Sequence, residues 1–212
     1  MDSSIDEYLV SDKGKFAFKF LKKNGSNTIQ QIILLYENKL PKLKYLTIQK
    51  IDRQTFPECK YIRKTSFPDD YKVFACIRNP YSRVATQFLQ DPWYRRTMNF
   101  YGFLKGLPHD DDTRIMSYKD LLKNLPSRTK FFRFETFNES LKEILEELNV
   151  GIKIPHVHKN KINSQKYNPY FYKKYYKPKH MEIMKEYFKW DLEKFNYTFD
   201  TYGDLPQMKD LF

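Results

Sequence analysis

Two stretches of the chain follow one plan. From Lys15 to Leu35 (KFAFKFLKKNGSNTIQQIILL), alternating apolar positions give way to a polar turn around Gly25 and then to apolar positions at helical spacing. The change of period from two to about 3.6 predicts a strand, a turn and a helix. From Tyr71 to Gln90 (YKVFACIRNPYSRVATQFLQ) the plan recurs, with Arg78 in the turn and Pro80 opening the helix; a proline suits a first helical position because its missing N–H needs no partner there.

The remaining pattern fills in the domain. The first helix is expected from Ser26 to about Leu40, with Ile29, Ile32, Ile33 and Tyr36 on one face and Pro41 at its end. A short strand follows at Leu43 to Ile48, then an irregular connection, Gln49 to Asp70, long enough to wall a binding site. Asp91 to Asp112 is aromatic, polar and glycine-punctuated, in keeping with an acceptor-site lid. Ser117 caps a short helix that leads into a strand at Thr129 to Phe134, and Asn138 opens a helix that closes near Gly151. Residues 152–177 are irregular and tyrosine-rich, and Pro178 opens a last amphipathic helix with Met181, Met184, Phe188 and Leu192 toward the core. Strands alternating with helices predict one α/β domain over residues 1–212, with a mainly parallel central sheet flanked by helices on both faces. Residues 14–90 form its nucleotide-binding core, 91–128 the acceptor region, and 129–212 the remaining core strand, helices and basic C-terminal segment.

Both turns are placed for anions. A strand that runs through a turn into a helix aims backbone N–H groups and the positive end of the helix dipole at one spot. Lys22 and Lys23 add charge there, and Ser26, Asn27 and Thr28 add side-chain donors. Arg78 stands at the end of another strand, and ligands of open α/β sheets bind at such carboxyl ends, so Lys23 and Arg78 are predicted to face one phosphorylated ligand.

The net charge of +12 favours polyanions of any kind, and residues 151–190 carry only Glu182 and Glu186 against many lysines. Cys59 and Cys76 make no disulfide framework, and Cys76 sits in an apolar strand as a buried thiol. The acidic start MDSSIDEYLV is neither a signal peptide nor a membrane anchor, and no other run reaches membrane-spanning length, which leads to the expectation of a cytoplasmic protein.

The KKNGSNT turn resembles the 5′-phosphosulfate loop of sulfotransferases, especially the carbohydrate and heparan sulfate type, written Pro-Lys-Thr-Gly/Ala-Ser-Thr-Ser/Thr: Lys23, Gly25, Ser26 and Thr28 match, and Lys22, Asn24 and Asn27 depart. IRNPYSRVATQF resembles that family's 3′-phosphate motif through Arg78, Asn79, Pro80, Arg83 and Phe88, with Thr86 in place of a serine. FFRFETF at 131–137 and HVHKNKINSQKY at 156–167 are similar to later family segments. The resemblance implies a P-loop-like sulfotransferase fold and transfer of a sulfuryl group from 3′-phosphoadenosine 5′-phosphosulfate (PAPS) to an acceptor hydroxyl, of a carbohydrate or a small molecule rather than nucleic acid. It leaves adenosine 3′,5′-bisphosphate (PAP) and needs no metal. It further implies Lys23 as the catalytic cation, Asn24, Gly25, Ser26, Asn27 and Thr28 around the 5′-phosphate, Arg78 and Thr86 on the 3′-phosphate, and Lys159 and Lys161 closing over the nucleotide.

The base that takes the acceptor's proton is less determined. The histidine that heparan sulfate type relatives place after their second strand is absent, which leaves Asp52, then Glu58 and His109, as candidates. Asp110, Asp111 and Asp112 read as a solvated acidic run, and His156 with His158 lacks a third ligand nearby. Arg83 is open to a ligand role or a surface ion pair, and Glu135 reads as the anchor of the turn that follows it. Two rival readings remain: a non-catalytic binder of nucleic acid or anionic glycan, and an ATP-dependent phosphotransferase, which the missing GxxxxGK(S/T) pattern disfavours.

Overall fold

The computed structural model describes residues 7–38, 62–107, 114–154 and 170–211. Five strands, β1 (Tyr8–Ser11), β2 (Phe16–Lys19), β3 (Arg63–Lys64), β4 (Lys72–Ile77) and β5 (Lys130–Arg133), form one sheet in the order β3-β1-β2-β4-β5. β2, β4 and β5 run parallel, with Phe18 opposite Phe74 and Ile77 opposite Arg133. Their carboxyl ends therefore open onto one edge of the sheet. β1 pairs antiparallel with β2 and with β3. No strand is expected at β1 from the sequence, because four residues carry too little periodicity; pairing on both sides holds it in place.

Alternation along the strands sorts side chains to two faces. Phe16 and Phe18 of β2, Phe74 and Cys76 of β4 and Phe132 of β5 meet α1 (Ser26–Tyr36) and α6 (Phe137–Glu147) through Ile29, Ile32, Ile33, Leu141 and Leu145. On the other face, Ala17, Val73, Ala75 and Ile77 pack on Tyr118, Leu121, Phe195 and Tyr197. The free Cys76 is buried, as its apolar strand implies. A third apolar cluster joins α2 (Pro80–Gln90), α4 (Phe100–Gly106) and α7 (Pro178–Tyr187) through Val84, Phe103, Leu104 and Met184. Helices thus cover both faces of the sheet, and among the described residues no helix is long and apolar enough to cross a membrane.

Several boundaries differ from the sequence reading, each for a local reason. α1 stops at Tyr36 because Glu37 closes it onto Ile33 and Leu35 and Asn38 turns left-handed at φ 56°. α6 opens at Phe137, one residue before Asn138, with Thr136 as its cap. The last amphipathic run breaks at the fully buried Phe188 into α7 and α8 (Lys189–Lys194). Within the tyrosine-rich stretch, Phe171–Tyr175 forms a 3₁₀ turn. The segment after Asp91 is not an open loop where it is described: α3 (Pro92–Thr97) is capped by Asp91 and α4 by Asn99. The strand expected at Leu43 to Ile48 lies outside the described residues.

The break at Phe188 turns Asp191 inward. Its carboxylate is fully buried 3.9 Å from the equally buried Arg83, and it accepts from the Ser117 hydroxyl and from the backbone N–H of Tyr118 at 2.9 Å. Arg83 is therefore not a surface residue: it also donates to the Met116 carbonyl and lies 4.2 Å over the Tyr118 ring. Burial holds the Asp191 carboxyl up at about 6 from an ordinary 3.8, although Arg83 pulls the other way. Between those values the folded chain binds the extra proton, so this group's contribution to stability is full below about pH 4 and is lost as the pH rises through about 6. Asp191→Asn is expected to flatten that part of the curve, read as urea midpoints between pH 4 and 6.5; an unchanged slope in the variant counts against this assignment.

Candidate functional site

The sheet edge where β2, β4 and β5 end carries both turns. After β2, the chain reaches α1 through Lys23 and Gly25, whose φ angles are 67° and 78°. A side chain at Gly25 would be strained by that φ, and its Cβ would lie 2.3 Å from Cε2 of Phe137. The glycine is thus demanded by backbone and by packing. It places α1 so that Gly25 is its N-cap without a side-chain bond, and no acidic residue stands in the first turn. α2, α3, α4 and α5 (Tyr118–Leu121), by contrast, each have a side chain accepting from a first-turn N–H. The first-turn N–H groups of α1, like those of α6, thus have no side-chain cap.

Ser26 and Thr28 flank that end, both largely buried, and neither hydroxyl makes a hydrogen bond among the described residues. Asn27 is partly exposed beside them and Lys22 adds charge at the same turn. The Lys23 ammonium donates to Gln90 Oε1 at 2.8 Å, at the far end of α2. Asn24 differs from expectation. It is 1% exposed, and its Nδ2 donates inward to the Cys76 carbonyl at 2.6 Å and to the Tyr118 hydroxyl at 2.7 Å. Its amide is a joint of the scaffold rather than a donor facing the turn's open side.

The second turn meets the first directly. Arg78 Nη1 donates to the Lys23 carbonyl at 2.8 Å, Nε and Nη2 donate to Ser82 Oγ at 3.1 and 2.9 Å, and Nη2 donates to Thr86 Oγ1 at 2.7 Å. The guanidinium also lies 4.2 Å over the Phe134 ring. Thr86 does two things at once: while accepting from Arg78 it donates back to the Ser82 carbonyl at 2.7 Å. Asn79 caps α2 through Tyr81 N–H, and its own N–H donates to Glu135 Oε1 at 2.8 Å. Glu135 also accepts from the Tyr197 hydroxyl, so it ties the third strand end to the other two.

Tyr118 fastens the turns together. Its hydroxyl accepts from the Arg78 N–H at 2.9 Å and from Asn24, and donates to the Arg78 carbonyl at 3.2 Å. Burial pushes this phenol up to about 12, so it stays protonated and able to donate. Ser82, Tyr118 and Asp191 are absent from the sequence reading. Asp191 had a detectable signal: with Met184, Phe188 and Phe195 it falls on one helical stripe, where a carboxylate requires a buried cation.

Asp52, Glu58, His109, Lys159 and Lys161, with Asp110 to Asp112 and His156 and His158, lie outside the described residues. Among the described residues no group of three or more His, Cys, Asp or Glu side chains is placed to hold a metal ion. What is assembled at one sheet edge is two sets of donors, one of main-chain N–H groups, hydroxyls and lysines, the other an arginine fixed by two hydroxyls.

Tyr118→Phe leaves the Arg78 N–H and the Asn24 amide buried with fewer acceptors, which costs about 1–3 kcal/mol. Urea unfolding of the variant reads this loss; a change under roughly 0.5 kcal/mol, the range of ordinary surface substitutions, is incompatible with the joint described here.

Comparison with known proteins adds one match. The model of a family described as the sulfotransferase family matches residues 6–198. No curated protein and no solved structure matches.

Proposed function

Because the chain belongs to the sulfotransferase family, over residues 6–198, we propose that it transfers a sulfuryl group from PAPS to a hydroxyl of a carbohydrate acceptor. The observation that carries this reading is the hydrogen bond from Arg78 Nη1 to the Lys23 carbonyl, which holds the two anion-binding turns side by side at one sheet edge.

The residues present suit such a donor. The uncapped start of α1 and the unengaged hydroxyls of Ser26 and Thr28 fit a 5′-phosphate. Arg78, steadied by Ser82 and Thr86, fits a 3′-phosphate. Bound there, PAPS supplies an activated sulfuryl group on a phosphate leaving group. In the transfer a bond forms between the acceptor oxygen and sulfur, and the bond from sulfur to the bridging oxygen breaks.

Lys23 supplies positive charge where negative charge grows on that bridging oxygen, an effect that needs a fixed cation more than covalent chemistry. Gln90 holds the ammonium on the α2 side until then. The acceptor's proton passes to a carboxylate or histidine, for which Asp52 is the first candidate and Glu58 and His109 the others. Lys159 and Lys161 are assigned to closure over the nucleotide.

Lys23→Ala is expected to lower kcat about 10²–10³-fold with little change in the KM for PAPS, as for loss of one transition-state donor. Arg78→Ala should instead weaken PAP binding by about one to two powers of ten, the worth of a charged hydrogen bond. Steady-state kinetics with sulfur-labelled donor and calorimetric titration with PAP separate the two; wild-type kinetics in Lys23→Ala, or unchanged PAP affinity in Arg78→Ala, overturn the assignment.

A further inference from the structure

Just beyond Gln90, the residue that holds the Lys23 ammonium, a tryptophan faces outward. Trp93 is 58% exposed, and only Tyr170 accompanies it among the exposed large apolar side chains of the described residues. An exposed indole carries information because apolar groups of that size are ordinarily covered.

Trp93 is not a loose side chain at the end of a loop. Its backbone N–H donates to Asp91 Oδ1 at 3.0 Å and Pro92 fixes the turn that opens α3. Asp91 is in turn held by Arg114 at 3.1 Å. The indole stands edge-on to Tyr94, centroids 5.1 Å apart at 72°, and Tyr94 is buried against Phe103 at 4.6 Å. The ring is a platform with a rigid mount.

Two cations stand beside it. Arg95 and Arg96 are exposed, and neither pairs with a carboxylate among the described residues. Arg114, close by in the same layer, does pair, with Asp91. Arg96 lies three residues after Trp93 and so shares its helix face, while Arg95 lies at the rim. An indole with a guanidinium alongside offers an apolar plane and a fork of donors for carboxylate or sulfate.

We propose that Trp93 and Arg96, with Arg95, form the docking surface for the acceptor, and that the acceptor is an acidic polysaccharide. One sugar ring lies with its apolar C–H face on the indole, and its anionic substituents engage the arginines. The proposal deepens the sulfotransferase reading, since the link from Gln90 to Lys23 puts this surface on the lysine side of the nucleotide cradle; the docking itself does not require the transfer. A single indole favours a sugar chain over a nucleic acid, because a nucleic acid strand needs successive stacking surfaces along a groove.

The chain has two tryptophans, Trp93 and the partly buried Trp190, so intrinsic fluorescence reports the surface directly. Titration of the full chain with a heparin-type sulfated hexasaccharide is expected to change Trp93 emission, with binding that weakens as salt is raised. Trp93→Ala should weaken this binding at least tenfold and Arg96→Gln several-fold, both followed by calorimetry, while affinity for PAP and the urea midpoint stay at wild-type values. Trp93→Phe, which keeps an aromatic plane, should restore most of the affinity without the emission change. Equal hexasaccharide affinity in wild type and Trp93→Ala overturns the proposal. So does a neutral dextran oligomer, or a single-stranded oligonucleotide of matched charge, that binds as tightly with the same dependence on Trp93. Trp93-dependent binding of the hexasaccharide in a chain that fails to bind PAP would uphold the docking surface and remove the sulfotransferase reading.

Discussion

The hydroxyl of Tyr118, buried between two turns, receives the N–H of Arg78 and the side-chain amide of Asn24, and this joint sets where the two turns stand relative to each other. Each turn grows from a different strand, β2 or β4, so the parallel register aligns their starts but not their tips. The tips are fixed by Asn24 reaching the Cys76 carbonyl, by Arg78 reaching the Lys23 carbonyl and by Lys23 reaching Gln90. Binding one ligand at both ends requires its two sites at a set distance, and prior organisation spares the entropy of ordering them on binding.

A buried polar joint is stable only if its members are satisfied and held. Tyr118 is held by the Arg83 guanidinium over its ring and by Asp191 at its N–H, and these two charges offset each other deep between α2, α5 (Tyr118–Leu121) and α8. A buried pair contributes little net stability, yet loss of either partner strands the other charge. The pair therefore serves as a positional lock behind the two turns.

Much of this was legible in the chain. The change of period at Lys19 to Ser26 and at Ile77 to Pro80 marks both strand-turn-helix units, and the polar residues Lys23, Arg78 and Thr86 fall within them. Cys76 is buried in its strand, whereas Glu135, read as the anchor of the turn that follows it, instead accepts from the Asn79 N–H and the Tyr197 hydroxyl, far away in the chain. Other features depend on contacts between residues far apart. Asn24 reads as a loop donor because nothing local shows that Cys76, 52 positions away, takes its amide. Tyr118 looks like one more aromatic core residue, and only its partners reveal the use of the hydroxyl. β1 is four residues long and exists through its neighbours, β2 and β3.

The most direct measurement is a crystal structure of the chain with adenosine 3′,5′-bisphosphate bound. The account predicts a single nucleotide spanning the sheet edge, its 5′-phosphate against the first turn of α1 and its 3′-phosphate on Arg78 and Thr86. A nucleotide lodged away from that edge, or one with both phosphates at the same turn, would contradict it.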